Sequence, residues 1–275
     1  GPKVGEAICV HPDVKAISFT GGTSTGKRIA SLAAPMFKKM SLELGGKNPN
    51  IIFADCNYEE MLTTSVRSSF ANQGQICLCG SRIFVERPLY EKFKTDFVAR
   101  VSKLQVGDPT EENTKTGALV SEAHMNKVLS YIELAKAEGG TIIAGGERVN
   151  LPGRCAEGWF IKPTVIEGLT YNCRTNQEEI FGPIVTIMPF DTEEEVLKYA
   201  NSTDYGLAAT LWTQNISRAH RMAEKLASGI VWINCWLVRD LRTPFGGVKN
   251  SGVGREGGME ALHFFTEAKN ICISY

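Results

Sequence analysis

Short apolar runs typical of β-strands alternate with segments of helical periodicity, and this alternation constrains the fold more than any other feature. The predicted strands are residues 14–20, 39–44, 49–54, 81–86, 229–234 and 269–275. The predicted helices are residues 23–34, 57–72, one with Pro88 in its first turn, 121–138, one that begins after the capping-box pair Thr192 and Glu195, and 215–228. Such alternation predicts an α/β protein.

Composition narrows the classes of function. Thirty basic and thirty acidic residues give a net charge of zero, which argues against a nucleic-acid or polybasic membrane-binding protein. No apolar run approaches the roughly 18 residues that cross a bilayer. The eight cysteines are irregularly spaced, so we expect free thiols in a reducing compartment and therefore a cytoplasmic protein. Because the chain begins with Gly1 rather than Met, we expect it to be part of a longer protein.

Three segments contain candidate chemistry. Residues 19–26 (FTGGTSTG) join a predicted strand to a predicted helix, where free N–H groups can bind a phosphate, although a plain tight turn explains the same pattern. Glu43 lies between apolar neighbours at a strand end. Burial there would raise its pKa and suit it to general-base catalysis. The alternative is a structural carboxylate that pairs with Lys47 or a backbone amide.

Two thiols, Cys77 and Cys79, follow the predicted helix 57–72. Too few metal-binding side chains stand nearby, so we predict no metal site. An exposed thiol near helix-end dipoles can be an activated nucleophile, whereas a buried, inert cysteine is the commoner case. The residues alone leave both interpretations open.

Together with residues 179–183 (EIFGP) and 244–247 (PFGG), these segments resemble the NAD(P)-dependent aldehyde dehydrogenase superfamily along the whole chain. The two most specific matches are the active-site boxes at residues 42–47 (LELGGK) and 74–77 (GQIC), which stand in family order with 77 − 43 = 34 positions between Glu43 and Cys77.

The resemblance implies a role for each matching residue. Cys77 would attack the aldehyde carbon, hydride would pass to the nicotinamide, and Glu43 would activate water to hydrolyse the thioester. Cys79 would be structural. The implied cofactor is NAD, with NADP left open. The implied cofactor-binding residues are Gly21, Gly22 and Gly26 at the pyrophosphate turn, Leu44, Glu179 at the nicotinamide ribose and Phe181 beside the ring.

The resemblance also implies a domain arrangement. Residues 1–44 would be the remnant of a Rossmann-like NAD-binding domain, 45–247 a catalytic domain with a mostly parallel sheet, and 248–275 a C-terminal segment with an oligomerisation strand. The chain would be the C-terminal part of a longer protein, and that full-length protein would form a homodimer or homotetramer. Since the family's oxyanion Asn would precede residue 1, we expect this chain alone to be inactive or to aggregate. The alternative is a non-catalytic short product that only binds another subunit.

Residues 234–247 are similar to the muconic semialdehyde branch of the family, whose substrates carry a carboxylate. The resemblance implies that Arg239 binds that carboxylate and that Trp236 forms a wall beside the conjugated chain. The alternative is a surface ion pair of Asp240 with Arg239 or Arg242, which would contribute little.

Overall fold

The computed structural model describes residues 1–275, with the side chain of Pro2 left out. The predicted alternation of strands and helices is confirmed. The strands are β1 (Ala16–Thr20), β2 (Lys39–Glu43), β3 (Pro49–Ile52), β4 (Arg82–Glu86), β5 (Thr141–Ala144), β6 (Arg148–Val149), β7 (Phe160–Ile161), β8 (Thr164–Glu167), β9 (Ile184–Phe190), β10 (Tyr205–Gly206), β11 (Ala208–Trp212), β12 (Ile230–Ile233), β13 (Val248–Lys249) and β14 (Gly252–Val253). The α-helices are α1 (Pro2–Val10), α2 (Thr23–Ala33), α3 (Tyr58–Phe70), α4 (Arg87–Val101), α5 (Glu122–Ala137), α6 (Arg174–Gln177), α7 (Glu193–Asn201), α8 (Ile216–Lys225) and α9 (Gly258–Phe265).

The larger sheet has the order β12-β11-β3-β4-β9-β8-β5, and its strands pair in parallel except β5, which is antiparallel to β8. The mostly parallel sheet is therefore confirmed. β3 and β11 are buried at every position, as expected for strands covered on both faces. One apolar cluster contains Phe93 and Phe97 of α4, and a second contains Met222 of α8 together with Phe53 and Phe190.

The smaller sheet has the order β1-β2-β14. β1 and β2 are parallel and α2 connects them, which is one βαβ unit of the predicted Rossmann-like remnant. β14 comes from the predicted C-terminal segment and pairs antiparallel with β2, so that Gly252 lies opposite Glu43. β13 pairs with β10 beside the larger sheet. The first residues of the C-terminal segment thus pair both with the smaller sheet and with β10, while the three-domain division stays a prediction.

The end of the chain differs from the sequence-based prediction. Residues 267–275 form no strand within this chain, and the alternating side chains Ile271, Ile273 and Tyr275 are exposed. The prediction of a strand at 269–275 is therefore wrong for a single chain, since a strand requires a neighbour to bond to. Its pairing in an oligomer stays a prediction.

The predicted start of α7 is confirmed in part. Thr192 Oγ1 accepts a hydrogen bond from the backbone N–H of Glu195, but the Glu195 carboxylate returns its bond to Asp191 rather than to Thr192. In the part of the chain that the structure describes, no helix is long and apolar enough to cross a membrane.

Candidate active site

An open cleft of about 940 Å³ lies at the ends of β1 and β2, facing the loop that follows α3. It brings together residues from four separate sequence motifs. The predicted site residues that line it are Gly21, Gly22, Glu43, Leu44, Cys77, Glu179 and Phe181. Gly26, Trp236 and Arg239 are not among its lining residues. The structure therefore brings most of the predicted site residues together in one cleft, and their roles stay predictions.

A strained turn delivers Cys77 to the cleft. After α3 ends at Phe70, Asn72 and Gln73 adopt left-handed backbone conformations with φ of 50° and 56°. Gly74 follows with φ of 69°, and a Cβ there would lie 2.1 Å from the carbonyl oxygen of Gly182. Only glycine satisfies both the backbone angle and this close approach, which accounts for the glycine of the GQIC motif.

Hydrogen bonds to four consecutive backbone carbonyls fix the loop that carries Cys77. The side-chain amide of Asn48 donates to the carbonyls of Cys77 (2.7 Å) and Cys79 (2.9 Å). The indole of Trp236 donates to Leu78 O at 2.9 Å, and the hydroxyl of Ser69 donates to the carbonyl of Gly80 at 3.2 Å. Since these donors come from three separate parts of the chain, the loop depends on the assembled fold for its conformation.

The thiol of Cys77 is half-buried, and its pKa is raised to about 11. Burial is the main cause, and the negative charges of Glu179 and Glu43 add to it. The backbone N–H of Cys77 and the charge of Arg239 act in the opposite direction. Cys77 is therefore neither the exposed thiol nor the fully buried one that the sequence left open, and its role as a nucleophile stays a prediction. A base must take the proton before the sulfur can act as a nucleophile.

Glu43, the last residue of β2, has the burial and the pKa that such a base requires. Its side chain is only 5% exposed, and neither carboxylate oxygen has a hydrogen-bond partner among the described residues. Burial, followed by the negative charge of Glu256, raises its pKa to about 7, although Arg255 and Arg239 oppose this. The carboxylate bonds neither Lys47 nor a backbone amide, so the structural alternative is wrong. A buried, unpaired carboxylate with this pKa is suited to accept and release a proton near neutrality.

Helix α5 holds the loop that carries Glu179 and Phe181. Phe181 has φ of 62°, His124 Nε2 lies 2.6 Å from its carbonyl oxygen, and Lys127 Nζ donates to the carbonyl of Glu179 at 3.0 Å. The Glu179 carboxylate accepts the N–H of Gly46 at 2.9 Å, and its pKa is raised, chiefly by burial. Sequence reasoning missed His124 and Lys127. Their spacing of three positions on a predicted helix was the available signal.

The three glycines of the phosphate-binding segment have different roles. Gly22 is the N-cap of α2, which has no side-chain cap, and both Gly21 and Gly22 line the cleft. Gly26 lies inside α2, where a Cβ would come 2.5 Å from Leu44 Cδ2. Gly26 therefore lets the helix pack closely on Leu44, the residue after β2. It does not line the cleft, and its contact with a cofactor stays a prediction.

Trp236 and Arg239 follow β12 and do not line the cleft. Trp236 is buried and fixes the loop through Leu78, so its visible role is structural. Arg239 is exposed, and its guanidinium carbon lies 4.0 Å from the centre of the Phe245 ring. Asp240 pairs with Arg242 instead, so of the two surface pairs considered, only that one forms.

The other cysteines give no sign of metal or disulfide chemistry. Cys79 is buried, and burial raises its pKa to about 12, as a structural thiol requires. Across the described residues, no group of three or more His, Cys, Asp or Glu side chains is arranged to hold a metal ion.

Comparisons with known proteins give the family context. Residues 1–271 match the pattern of the aldehyde dehydrogenase family. The chain is 53% identical to a 2-aminomuconic semialdehyde dehydrogenase of Mus musculus, across all of this chain and 57% of that protein. It is 49% identical to a 2-hydroxymuconic semialdehyde dehydrogenase of Pseudomonas sp. (strain CF600), across 99% of the chain and 56% of that protein.

Solved structures agree with this pattern. A betaine aldehyde dehydrogenase from Staphylococcus aureus, crystallised with NAD+, is 42% identical, with a TM-score of 0.89 over 94% of this chain and 51% of that one. The aldehyde dehydrogenase-like fold is thereby confirmed. The chain spans little more than half the length of the relatives it matches. Which part of those relatives it represents stays a prediction.

Proposed function

Because the chain belongs to the aldehyde dehydrogenase family, we propose that it carries the catalytic thiol and base of an enzyme that oxidises an aldehyde to a carboxylic acid with NAD. One observation carries the proposal: buried Glu43, with no hydrogen-bond partner for its carboxylate among the described residues, shares a cleft with Cys77. NADP is the alternative cofactor.

In the first half-reaction, the sulfur of Cys77 forms a bond to the aldehyde carbon, and Glu43 accepts the thiol proton. The backbone N–H of Cys77 makes no hydrogen bond to another described residue, so it is available to the developing oxyanion. The chemistry that bound NAD supplies is acceptance of hydride from the carbon attached to Cys77, which leaves a thioester.

In the second half-reaction, Glu43 removes a proton from water, and the resulting hydroxide attacks the thioester carbon. The C–S bond breaks, the acid leaves and Cys77 is restored. A carboxylate with a pKa of about 7 accepts a proton in each half-reaction and releases it to solvent afterwards.

The cleft fits the nicotinamide half of a dinucleotide. The start of α2 offers backbone N–H groups without a side-chain cap, and Gly21 and Gly22 leave space for a pyrophosphate. The left-handed Phe181, held by His124, would flank the ring. Glu179 would hold the ribose.

The substrate we propose is an aldehyde with a carboxylate group, of the muconic semialdehyde type. Arg239 supports this because its guanidinium is exposed on Phe245 and its positive charge acts on both Glu43 and Cys77. A guanidinium matches a carboxylate through two parallel hydrogen bonds.

The test is NADH formation by the full-length protein and by the isolated 275-residue chain. We expect the full-length protein to oxidise a carboxylate-bearing aldehyde and the isolated chain to be inactive, since a missing oxyanion donor alone costs roughly 10²–10³ in rate. Turnover by the isolated chain near the full-length value would refute the expected inactivity. No turnover by the full-length protein on any aldehyde would refute the function.

A second proposal concerns assembly. The exposed alternation of Ile271, Ile273 and Tyr275 supports an edge strand that pairs with another copy in a homodimer or homotetramer. This surface is also the basis of the alternative, a short non-catalytic product that only binds a subunit. The test is to truncate the full-length protein after residue 266 and to measure its assembly by sedimentation and its activity by NADH formation. If the strand assembles an active enzyme, we expect the truncated protein to lose both assembly and activity.

A further inference from the structure

Two arginines beside the Cys77 loop have no partner. Arg67 on α3 and Arg239 after β12 are both exposed, and within the described residues neither takes part in a hydrogen bond or an ion pair. Other arginines of the chain do: exposed Arg87, for instance, pairs with Asp191, and half-buried Arg100 pairs with Glu59. An arginine that lacks an internal carboxylate partner can bind one from a ligand.

Both guanidiniums lie over aromatic rings of one cluster. The guanidinium carbon of Arg67 lies 5.7 Å from the centre of the Trp236 ring, and that of Arg239 lies 4.0 Å from the centre of the Phe245 ring. Trp236 and Phe245 belong to a single buried cluster against which Cys77 packs. The two arginines therefore sit on neighbouring parts of the wall that supports the nucleophile.

The aromatic rings also restrain the arginines. Trp236 is itself fixed, because its indole N–H donates to Leu78 in the Cys77 loop. A guanidinium that stacks on a fixed ring loses less side-chain freedom when it binds a ligand than one that extends freely into solvent.

We propose that Arg67 and Arg239 together clamp the carboxylate of the substrate, with Arg67 as a second specificity-determining residue. This inference rests on the proposed function. Each guanidinium can donate to one or both carboxylate oxygens, so a pair selects for a carboxylate more strongly than Arg239 alone. Arg67 belongs to α3, far in sequence from Arg239, and no motif of the sequence pointed to it.

The experiment measures the full-length enzyme with 6-oxohexanoate and with its uncharged methyl ester, and compares the two kcat/KM values as a ratio. We expect Arg67→Met, which keeps the length of the side chain but removes the charge, to lower the ratio about tenfold. Arg67→Lys should recover part of it. A double variant with Arg239→Met should lose less than the product of the single losses if the two residues act on one carboxylate.

Arg148→Met is the matched control. Arg148 is likewise exposed and, among the described residues, unpaired, but it lies on β6, in a separate two-stranded ladder. We expect Arg148→Met to leave the ratio of the two kcat/KM values unchanged. If Arg67→Met behaves like this control while Arg239→Met loses the preference, the clamp is overturned and the proposed function stands. If the unmutated enzyme has no preference for 6-oxohexanoate, the carboxylate-binding part of the proposed function is overturned as well.

Discussion

The two side chains of the cleft that we propose as catalytic, Cys77 and Glu43, are held in opposite ways. The loop around Cys77 has side-chain donors on four consecutive carbonyls, supplied by Asn48, Trp236 and Ser69. The carboxylate of Glu43 is buried with no donor at all among the described residues. The Cys77 side of the cleft is therefore hydrogen-bonded throughout its loop, whereas the Glu43 side has a carboxylate without a hydrogen-bond donor.

The difference reflects what each side chain needs: a fixed position for Cys77 and a change of protonation state for Glu43. A nucleophile must be placed to within a fraction of an ångström, and backbone anchors provide that placement without touching the sulfur. A general base must change its protonation state during turnover, and any fixed donor would stabilise its charged form and lower its pKa. An unpaired buried carboxylate costs folding stability, which is the expected consequence of this arrangement.

The largest effect should come from the thiol. Cys77→Ser retains the loop anchors but replaces the sulfur with a hydroxyl that is a much weaker nucleophile near neutral pH, so we expect kcat to fall by at least about 10³-fold. Steady-state NADH formation by the full-length enzyme measures this. Cys79→Ser is the matched control, because that thiol is buried behind the loop. Undiminished turnover by Cys77→Ser would remove the basis of the whole mechanism.

A smaller but more diagnostic effect is expected at the base. Glu43→Gln keeps the shape of the side chain and removes its ability to take a proton, for which we expect a loss of about 10²-fold or more in steady-state turnover. If thioester hydrolysis is the step most affected, rapid mixing should show a burst of NADH, at most one equivalent per active site, before turnover stalls. Normal steady-state turnover would show that Glu43 is not the base.

The anchored side can be tested at Asn48. Asn48→Ala removes the donor to two loop carbonyls and the acceptor for the N–H of Ala208. We expect kcat to fall about tenfold and the melting temperature to fall by several degrees, because buried groups lose their partners. Asn126→Ala, at an exposed position of α5, should change neither quantity. Unchanged kcat in Asn48→Ala would mean that the carbonyl anchors do not position the nucleophile.

The sequence motifs identify the residues to which we assign the proposed chemistry, but not the residues that hold them in place. Glu43, Cys77, Glu179 and Phe181 lie in short, specific motifs, so they could be identified without knowledge of the fold. Asn48 and Trp236 bond the Cys77 loop from 29 and 158 positions away, and no local pattern reports such a contact. Trp236 was accordingly expected to face the substrate, whereas its indole bonds the loop.

The fold shows a similar division. Helices with a clear apolar face, such as α3 and α5, were predicted to within two residues. β9 and β11 were missed, and neither has a regular alternation of buried and exposed residues. The strand predicted at 269–275 has the alternation but lacks a neighbour within the chain.

The pH dependence of turnover should report the ionisation of the Glu43 carboxylate directly. Glu43 acts as a base only when ionised, and its pKa is about 7, so turnover should rise with pH up to about 7 and level off above it. In Glu43→Gln the residual rate should lose this step. Kcat measured from pH 5.5 to 8.5 provides the comparison, and an identical profile for both proteins would assign the step to another group.

The smallest expected effect is on stability. The pKa of Glu43 is raised from 4.5 to about 7 in the folded protein, so between these values the folded state binds more protons than the unfolded state, and stability falls as pH rises through that window. Glu43→Gln has no such titration. The melting temperature of Glu43→Gln minus that of the unmutated protein should therefore be larger at pH 8 than at pH 4.5. Each kcal/mol of difference in the free energy of unfolding corresponds to about 2–4 °C. If the variant is equally or less stabilised at pH 8, the carboxylate has a partner in solution, and the contrast between the two sides of the cleft does not hold.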